Sequence, residues 1–393
     1  MEKLFDEIER SVTRTKHERE STFEYYNSSA RAPIAALRGF LERWFESYPA
    51  HAKAHLRGLF RSRIDFQHSS AFWELYLHEI FTRMGYALEP HPTLMGSPNH
   101  PDYLVSENGS PSFYLEAILA GLPSVKDAAA EARLAEVFDL INKLESPEYF
   151  LWLEYRGRPQ SPPPIRGLRK TLEEWLGSLD IDALKDAYSR GEFAAARTLE
   201  WRHEALTLFF RPIPKHSAGA SARPIAVTME KEMQILETDQ DIREAVEKKA
   251  KKYGELPHPL VVAANVLSEH CDDIDIFNAL FGSEMFQVAF HADGSETTKG
   301  GRLPNGVWFG KRGPRNQVVS AVLIGNRIDP YTVGTTTPIL IHNPYTQSPL
   351  SLPEYPLPQA LPDNATRRVR KTEGRRASEF LRLPSPWPPS RLD

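Results

Sequence analysis

Three acidic residues lie in sequence contexts where acidic side chains are unusual. Carboxylates of this kind can bind a divalent cation and support chemistry there. Glu116 lies inside the apolar run FYLEAIL, and Asp102 directly follows a proline. Glu74 is seven residues before Phe81, so it shares the apolar face of a predicted helix. Because converging carboxylates repel one another, they need a hard cation between them, Mg²⁺ or alternatively Mn²⁺. Such an ion can activate water and stabilise the charge that develops on a phosphate.

A hairpin is needed to bring two of these acids side by side, and the sequence predicts one. Asp102 begins one strand-like segment and Glu116 lies in the next, with the dipeptide Asn108-Gly109 between them. This dipeptide favours a two-residue turn between antiparallel strands. The period-two alternation of a strand then places Glu116 and Ile118 on the same face.

The surrounding pattern predicts a mixed α/β fold. The predicted elements come in the order helix, strand, hairpin, helix, strand, at residues 71–84, 86–88, 103–106 with 112–119, 127–145 and 149–155. If helix 71–84 packs on the hairpin, Glu74 joins the other two acids. The last helix and strand predict a crossover to a parallel strand within the same mixed sheet.

This arrangement resembles the PD-(D/E)XK nuclease superfamily, whose restriction-endonuclease-like core has the order αβββαβ. The residues that carry the resemblance are Glu74 on a helix, the pair Pro101-Asp102, and Glu116 in an apolar strand. The resemblance implies that Asp102 and Glu116 are catalytic metal ligands and that Glu74 is an auxiliary ligand. It also implies a Mg²⁺- or Mn²⁺-dependent nuclease acting on nucleic acid, DNA rather than RNA, in defence or DNA processing.

The chain departs from the superfamily at one position, two residues after the strand acid. A lysine there would orient the nucleophile or neutralise charge on the phosphate, but this chain has Ile118. The basic residue could come from another element, with Lys126, Lys143, Lys249 and Lys252 as candidates. The departure also leaves a second interpretation open, a catalytically inactive nuclease fold that binds nucleic acid or a protein partner.

A wider resemblance links residues 33–119 and about 239–345 to an uncharacterised bacterial protein family. It is carried by the segments AFWELYLHEIF, HPDYLV, FYLEA, KKYGELPHPLVVAANV, NALFG and HNP. This likeness implies a shared fold and does not imply an activity.

Composition predicts three regions along the chain. Residues 1–70 are expected to form an N-terminal helical region, and residues 71–345 the α/β core with a helical insertion at about 157–200. Residues 346–393 are rich in proline and arginine and are expected to be disordered. Residues 361–393 hold eight basic and four acidic residues, a net charge of +4 within a chain whose net charge is −4.

The overall composition excludes several classes of protein. A net charge of −4 over 393 residues excludes a uniformly cationic coat for nucleic acid. The single cysteine, Cys271, excludes an intramolecular disulfide framework and a cysteine-based zinc site. Without a transmembrane-length apolar run or a signal peptide, the sequence predicts a cytoplasmic protein with no membrane partner. The oligomeric state stays open, a homodimer included.

Several other polar residues have ordinary structural interpretations. His78 and His100 lie beside the acids and are expected to be partners of carboxylates rather than ligands. Glu79 is four residues before Arg83, which predicts a surface ion pair. The acidic segment at 272–275 is expected to be a solvated loop.

Overall fold

A computed structural model describes residues 2–95, 97–121, 125–193, 196–215, 224–230, 238–268, 271–290, 296–352, 354–363 and 368–389. The side chains of 125–128, 227, 229, 230, 287, 289, 290, 363 and 368 lie outside the description. Two compact units divide the chain. The larger unit comprises residues 1–13, 21–122 and 237–393, and the smaller unit comprises 14–20 and 123–236. This division differs from the predicted boundaries after residues 70 and 345.

Ten α-helices and sixteen strands lie in the described part of the chain. The helices are α1 (Thr22–Ser28), α2 (Ala32–Ser47), α3 (Lys53–Phe60), α4 (Asp65–Arg83), α5 (Val125–Ile141), α6 (Ile165–Gly177), α7 (Ile181–Ser189), α8 (Thr238–Ala250), α9 (Asp273–Phe281) and α10 (Ala377–Leu381). The strands are β1 (Ala87–Pro90), β2 (Tyr103–Glu107), β3 (Ser110–Ala120), β4 (Tyr149–Arg156), β5 (Leu199–His203), β6 (Leu206–Pro214), β7 (Ile225–Glu230), β8 (Leu260–Val266), β9 (Glu284–Phe290), β10 (Glu296–Arg302), β11 (Phe309–Gly310), β12 (Gly313–Pro314), β13 (Val319–Asn326), β14 (Ile339–His342), β15 (Gln359–Asp363) and β16 (Arg368–Thr372). The predicted mixed α/β class is therefore confirmed. No described helix is both long and apolar enough to span a membrane.

The larger unit is built on an eight-stranded mixed sheet in the order β1-β2-β3-β8-β13-β14-β15-β16. Strands β3 and β13 both run parallel to β8, whose seven residues are all buried. Alternate residues of the central strands enter two different apolar clusters. Trp73 of α4 shares one cluster with Ala263, and Val246 of α8 shares the other with Val262. The sheet is therefore covered on both faces, which explains its unbroken apolar strands.

The predicted hairpin is confirmed. Strands β2 and β3 pair antiparallel, and the turn between them is Asn108-Gly109. Asn108 has φ 49° and Gly109 has φ 79°, the left-handed conformation that a type I′ turn requires at both central positions.

The predicted crossover from β3 through the 127–145 helix to the 149–155 strand is wrong. The strand that runs parallel to β3 is β8, which follows α8 in the chain. Strand β4 pairs instead with β6 and β7 inside the smaller unit. The error has a physical reason: apolar periodicity shows that a strand is buried but does not encode its partner.

The smaller unit has its own sheet and core. Its strands lie in the order β5-β6-β4-β7, and Leu151 and Leu153 of β4 are fully buried with Leu172 of α6 and Phe210 of β6. The predicted helical insertion at 157–200 is thus only part of a longer inserted segment, which also contributes strands.

The described part of residues 346–393 departs from the expected disorder. Strand β15 runs parallel to β14 and antiparallel to β16, and α10 follows. Leu357, Ala360 and Leu381 are at most 2% exposed. The composition is dominated by proline and arginine, yet these spaced apolar residues each bury a side chain in the larger unit.

Candidate active site

Glu116 is the centre of the site. It lies in β3 opposite Val262 of β8, and its side chain is fully buried. One carboxylate oxygen, Oε1, accepts hydrogen bonds from the Nζ atoms of Lys249 at 2.6 Å and Lys252 at 2.7 Å. Oε2 accepts from the Tyr253 hydroxyl at 2.7 Å and from the Asp102 backbone N–H at 3.2 Å. A buried charge is thus balanced by two cations and two neutral donors.

Asp102 lies beside Glu116 at the base of the hairpin. Its Oδ2 accepts a hydrogen bond from the Ala117 backbone N–H at 2.6 Å, while its own N–H binds Glu116. The Lys249 Nζ is 3.8 Å from the same Oδ2. The two acids therefore hold each other through the backbone of the opposite strand, and one lysine lies near both.

Glu74 reaches the site from α4. Its backbone carbonyl accepts a hydrogen bond from the Tyr103 hydroxyl at 2.9 Å, and that hydroxyl lies 3.1 Å from the Tyr48 hydroxyl. This contact ties the helix to β2 one residue from Asp102. Burial and the charge of Asp102 raise the pKa of Glu74 to about 8. Asp102 and Glu116 are thus joined by a hydrogen bond, and Glu74 lies close enough for their charges to contribute to its raised pKa.

The carboxylates differ in their electrostatic environment. Burial, followed by the charge of Glu116, raises the pKa of Asp102 to about 6. Burial would also raise the pKa of Glu116, but the charge of Lys249 and the hydrogen bonds from Lys249, Lys252 and Tyr253 hold it below its usual value. The pKa of Lys249 is raised despite burial, because Asp102 and Glu116 stabilise its charge. Lys249 is consequently a cation and not a base in this arrangement.

The two lysines and the tyrosine come from the last turn of α8 and the residues directly after it. Spacings of three and four residues place Lys249, Lys252 and Tyr253 on one side of the chain as the helix ends. The buried residues Ile242 and Val246 lie seven and three residues before Lys249, so Lys249 continues the face of α8 that packs on the apolar cluster beneath it. Neighbouring lysines at the end of α8 therefore differ in exposure: the Lys249 side chain is 17% exposed and the Lys251 side chain 69%.

The four lysine candidates have different outcomes. Lys249 and Lys252 contact Glu116, as described above. Lys143 is exposed in the smaller unit, and the side chain of Lys126 lies outside the described residues. Ile118, at the position where the superfamily has lysine, is partly buried and packs against the apolar cluster below α8.

The donor set suits a hard cation in part. Carboxylate oxygens are the ligands that Mg²⁺ prefers. Burial is the main cause of the raised pKa of Glu74, and the charge of Asp102 adds a repulsion that a cation would relieve. Among the described residues, no hydrogen bond is donated to the Glu74 carboxylate or to the Asp102 Oδ1. Glu116 differs from the prediction, because lysines and a tyrosine bind its oxygens. Within the described part of the chain, no three His, Cys, Asp or Glu side chains form a ready metal-binding group.

Family models, curated proteins and solved structures were each compared with the chain. None matches it. The features that can indicate a function are therefore the side chains around Glu116 and the elements that hold them: the hairpin, α4 and the end of α8.

The two histidines beside the acids have structural surroundings. His78 is buried against the Tyr48 ring, with the ring centroids 4.8 Å apart, and burial lowers its pKa to about 4. His100 has an exposed side chain, while its backbone carbonyl accepts hydrogen bonds from Tyr253 at 2.9 Å and Lys252 at 3.3 Å. His100 thus helps to orient the end of α8 through its backbone.

Glu79 and Arg83 form the predicted ion pair, but the prediction that the pair lies on the surface is wrong. The pair forms at 2.8 Å, but the Glu79 side chain is only 3% exposed, and it also accepts a hydrogen bond from Ser47. Helix α2 ends over this side of α4. A helical periodicity shows only the faces of one helix, so it could not reveal the neighbour that buries Glu79.

Proposed function

We propose that the protein is a Mg²⁺-dependent nuclease that hydrolyses phosphodiester bonds in nucleic acid, with DNA as the preferred substrate. The proposed restriction-endonuclease-like core consists of α4, β1, β2, β3, α8 and β8. One observation carries the proposal. The Lys249 Nζ lies 2.6 Å from Glu116 and 3.8 Å from Asp102, so α8 supplies the ammonium that β3 lacks at Ile118.

The proposed roles follow from the surroundings of each group. Asp102 and Glu74, together with Glu116, would hold the ion, which when bound activates water and neutralises phosphate charge. Lys249 is charged and sits at the carboxylates, so it stabilises negative charge that develops on the phosphate. Lys252 is 32% exposed and is the more accessible partner for the substrate backbone.

The first test is cleavage by the purified protein. Plasmid, linear duplex, single-stranded DNA and RNA are each incubated with Mg²⁺ or Mn²⁺, and products are resolved on gels. We expect Asp102→Ala to reduce cleavage at least about 100-fold, because it removes a charged group from the reacting centre. The matched control is Asp273→Ala, since Asp273 is exposed and belongs to another element. Cleavage that persists in Asp102→Ala would refute the proposed site.

A second candidate function is nucleic-acid binding without cleavage. It is favoured by the four hydrogen bonds to Glu116, in which lysines and a tyrosine take the place of a metal ion. This alternative predicts that binding is the same in EDTA and in Mg²⁺ and that no substrate is cut. Metal-dependent cleavage that is lost in Asp102→Ala would exclude it.

A further inference from the structure

A cavity of about 240 Å³ lies beside the carboxylate cluster, and one residue belongs to both. The Tyr253 hydroxyl donates to Glu116, while Tyr253 also lines the cavity. Tyr114, two residues before Glu116 in β3, lines it as well. The cavity therefore begins where the proposed phosphate site ends.

The lining favours a neutral, flat group over a phosphate. Among the described residues that line the cavity, none is lysine or arginine, and Glu255 adds an acid at the exposed rim. The tyrosines Tyr114 and Tyr253 are joined by the apolar residues Leu94 and Leu256. Aromatic side chains bind nucleobases by stacking, whatever the base. The volume is below the roughly 300 Å³ at which pockets for drug-sized ligands begin, so one ring system is the matching size.

We infer that this cavity binds the base of the nucleotide adjoining the phosphate at Lys249 and Lys252. The inference rests on the proposed function and adds a substrate class to it. A base paired within a duplex cannot enter a cavity, so the bound base is unpaired: it lies in a single strand, at an unpaired end or flipped out of the duplex. Glu255 accepts hydrogen bonds and does not donate them, so it favours a base with an exocyclic amino group, such as cytosine, over thymine.

The test separates base binding from cleavage. Binding of labelled oligo-dC, oligo-dT and an abasic oligonucleotide of equal length is measured by fluorescence anisotropy, in the Asp102→Ala background and in EDTA. All three ligands carry the same phosphates. We expect oligo-dC to bind at least about tenfold more tightly than the abasic ligand, as stacking of a base requires.

A variant that fills the cavity tests whether the difference in affinity between oligo-dC and the abasic ligand arises there. A Cβ atom built on Gly254 meets no heavy atom within 4 Å, and its φ is outside the left-handed region, so the backbone accepts a side chain there and Gly254→Phe is the variant of choice. Gly58 in α3 has the same properties, which makes Gly58→Phe the matched control. We expect Gly254→Phe to lower the affinity for oligo-dC to that of the abasic ligand. Unchanged abasic binding in that variant shows that the fold and the phosphate site persist.

Two results would overturn the inference. One is equal binding of oligo-dC and the abasic ligand by the parent protein, and the other is undiminished preference for oligo-dC in Gly254→Phe. Failure of the proposed nuclease gives a different pattern, in which base-dependent binding is present and cleavage is absent. Removal of the rim acid in Glu255→Ala should also abolish the preference for oligo-dC over oligo-dT, with Glu244→Ala, an exposed acid of α8, as its control.

Discussion

The larger unit contains two groups of acidic residues, one around Glu116 and one at the start of α9. They look alike in the sequence but have opposite surroundings. Glu116 and Asp102 are buried among lysines, as described above. Asp272 instead forms the N-cap of α9, where its side chain accepts a hydrogen bond from the Asp275 backbone N–H at 3.0 Å. The Asp275 side chain returns a contact to the N–H of Asp272 at 3.1 Å. The second group is thus a capping box that satisfies a helix end.

The difference shows which property of an acidic cluster indicates function. At the start of α9 the backbone supplies donors and water reaches the side chains, so these carboxylates are ordinary. At Glu116 the chain places a carboxylate at 0% exposure and then needs lysines from another element to balance it. Burying a carboxylate together with its lysines costs desolvation free energy, so this arrangement indicates a role other than stabilising the fold. Variants in the two groups should therefore differ in size and kind of effect.

The largest effect is expected at Lys249. The Lys249→Met variant keeps the aliphatic stem but removes one of the two charges that balance buried Glu116, so the free energy of unfolding should fall by about 3 kcal/mol. Urea denaturation measures this loss. Lys251→Met is the control, because that side chain is 69% exposed, and its change should stay within about 0.5 kcal/mol. Equal losses in the free energy of unfolding for the two variants would show that Lys249 contributes no more to stability than an exposed lysine does.

A pH-dependent effect is expected at Glu74. Its pKa is about 8 in the folded protein and 4.5 ordinarily, so between these values the folded state holds a proton that the unfolded state has lost. Wild-type stability should therefore fall as pH rises through this window, by at most about 1.4 kcal/mol per pH unit from this group. In EDTA, Glu74→Gln should be the more stable protein at pH 8, by on the order of 2 kcal/mol, and should lose less stability between pH 5 and pH 8. Denaturant unfolding across that range checks the sign, and parallel curves for the two proteins would contradict it.

A smaller effect is expected at the capping box. Asp272→Ala removes the side chain that caps α9, and loss of an N-cap costs about 1 kcal/mol of stability. Cleavage by this variant should equal that of wild type when both are assayed well below their unfolding temperatures. A selective loss of cleavage would mean that the second acidic group also contributes to function.

The smallest effect is expected at the ion pair between Lys371 and Asp273. Their side chains are 47% and 69% exposed, so solvent and salt screen the interaction. Lys371→Ala should change the free energy of unfolding by less than about 0.5 kcal/mol. A loss comparable to that of Lys249→Met would remove the distinction between the two acidic groups.

The parts of the site that could be predicted are those that local pattern encodes. The turn at Asn108-Gly109 fixed the pairing of two neighbouring strands, and this pairing brought Asp102 beside Glu116. Glu74 followed from the spacing of one helix. The burial of Glu79 could not be predicted, because it depends on where α2 ends relative to α4 and not on the α4 sequence.

Long-range assignments were less predictable. The helix and strand directly after β3 matched the prediction in type, yet they belong to the smaller unit, and the strand that runs parallel to β3 is β8, which follows α8. Amphipathic helices and apolar strands of either unit have the same periodicity, so the pattern cannot choose between them. In the C-terminal region, the high proline and arginine content predicted disorder, although apolar residues such as Leu381 are buried.

By itself, the sequence determined the mixed α/β class, the hairpin and the three acids, because each depends on contacts between residues close along the chain. Only the tertiary structure decided how the charge of Glu116 is balanced. Lys249 lies 133 residues after Glu116 and beyond the whole inserted unit. The sequence named Lys249 among four candidates, and the pairing of β8 with β3 carries the end of α8 to the carboxylates. A side chain's ionic partner is set by which elements pack together, and that packing is a property of the folded chain.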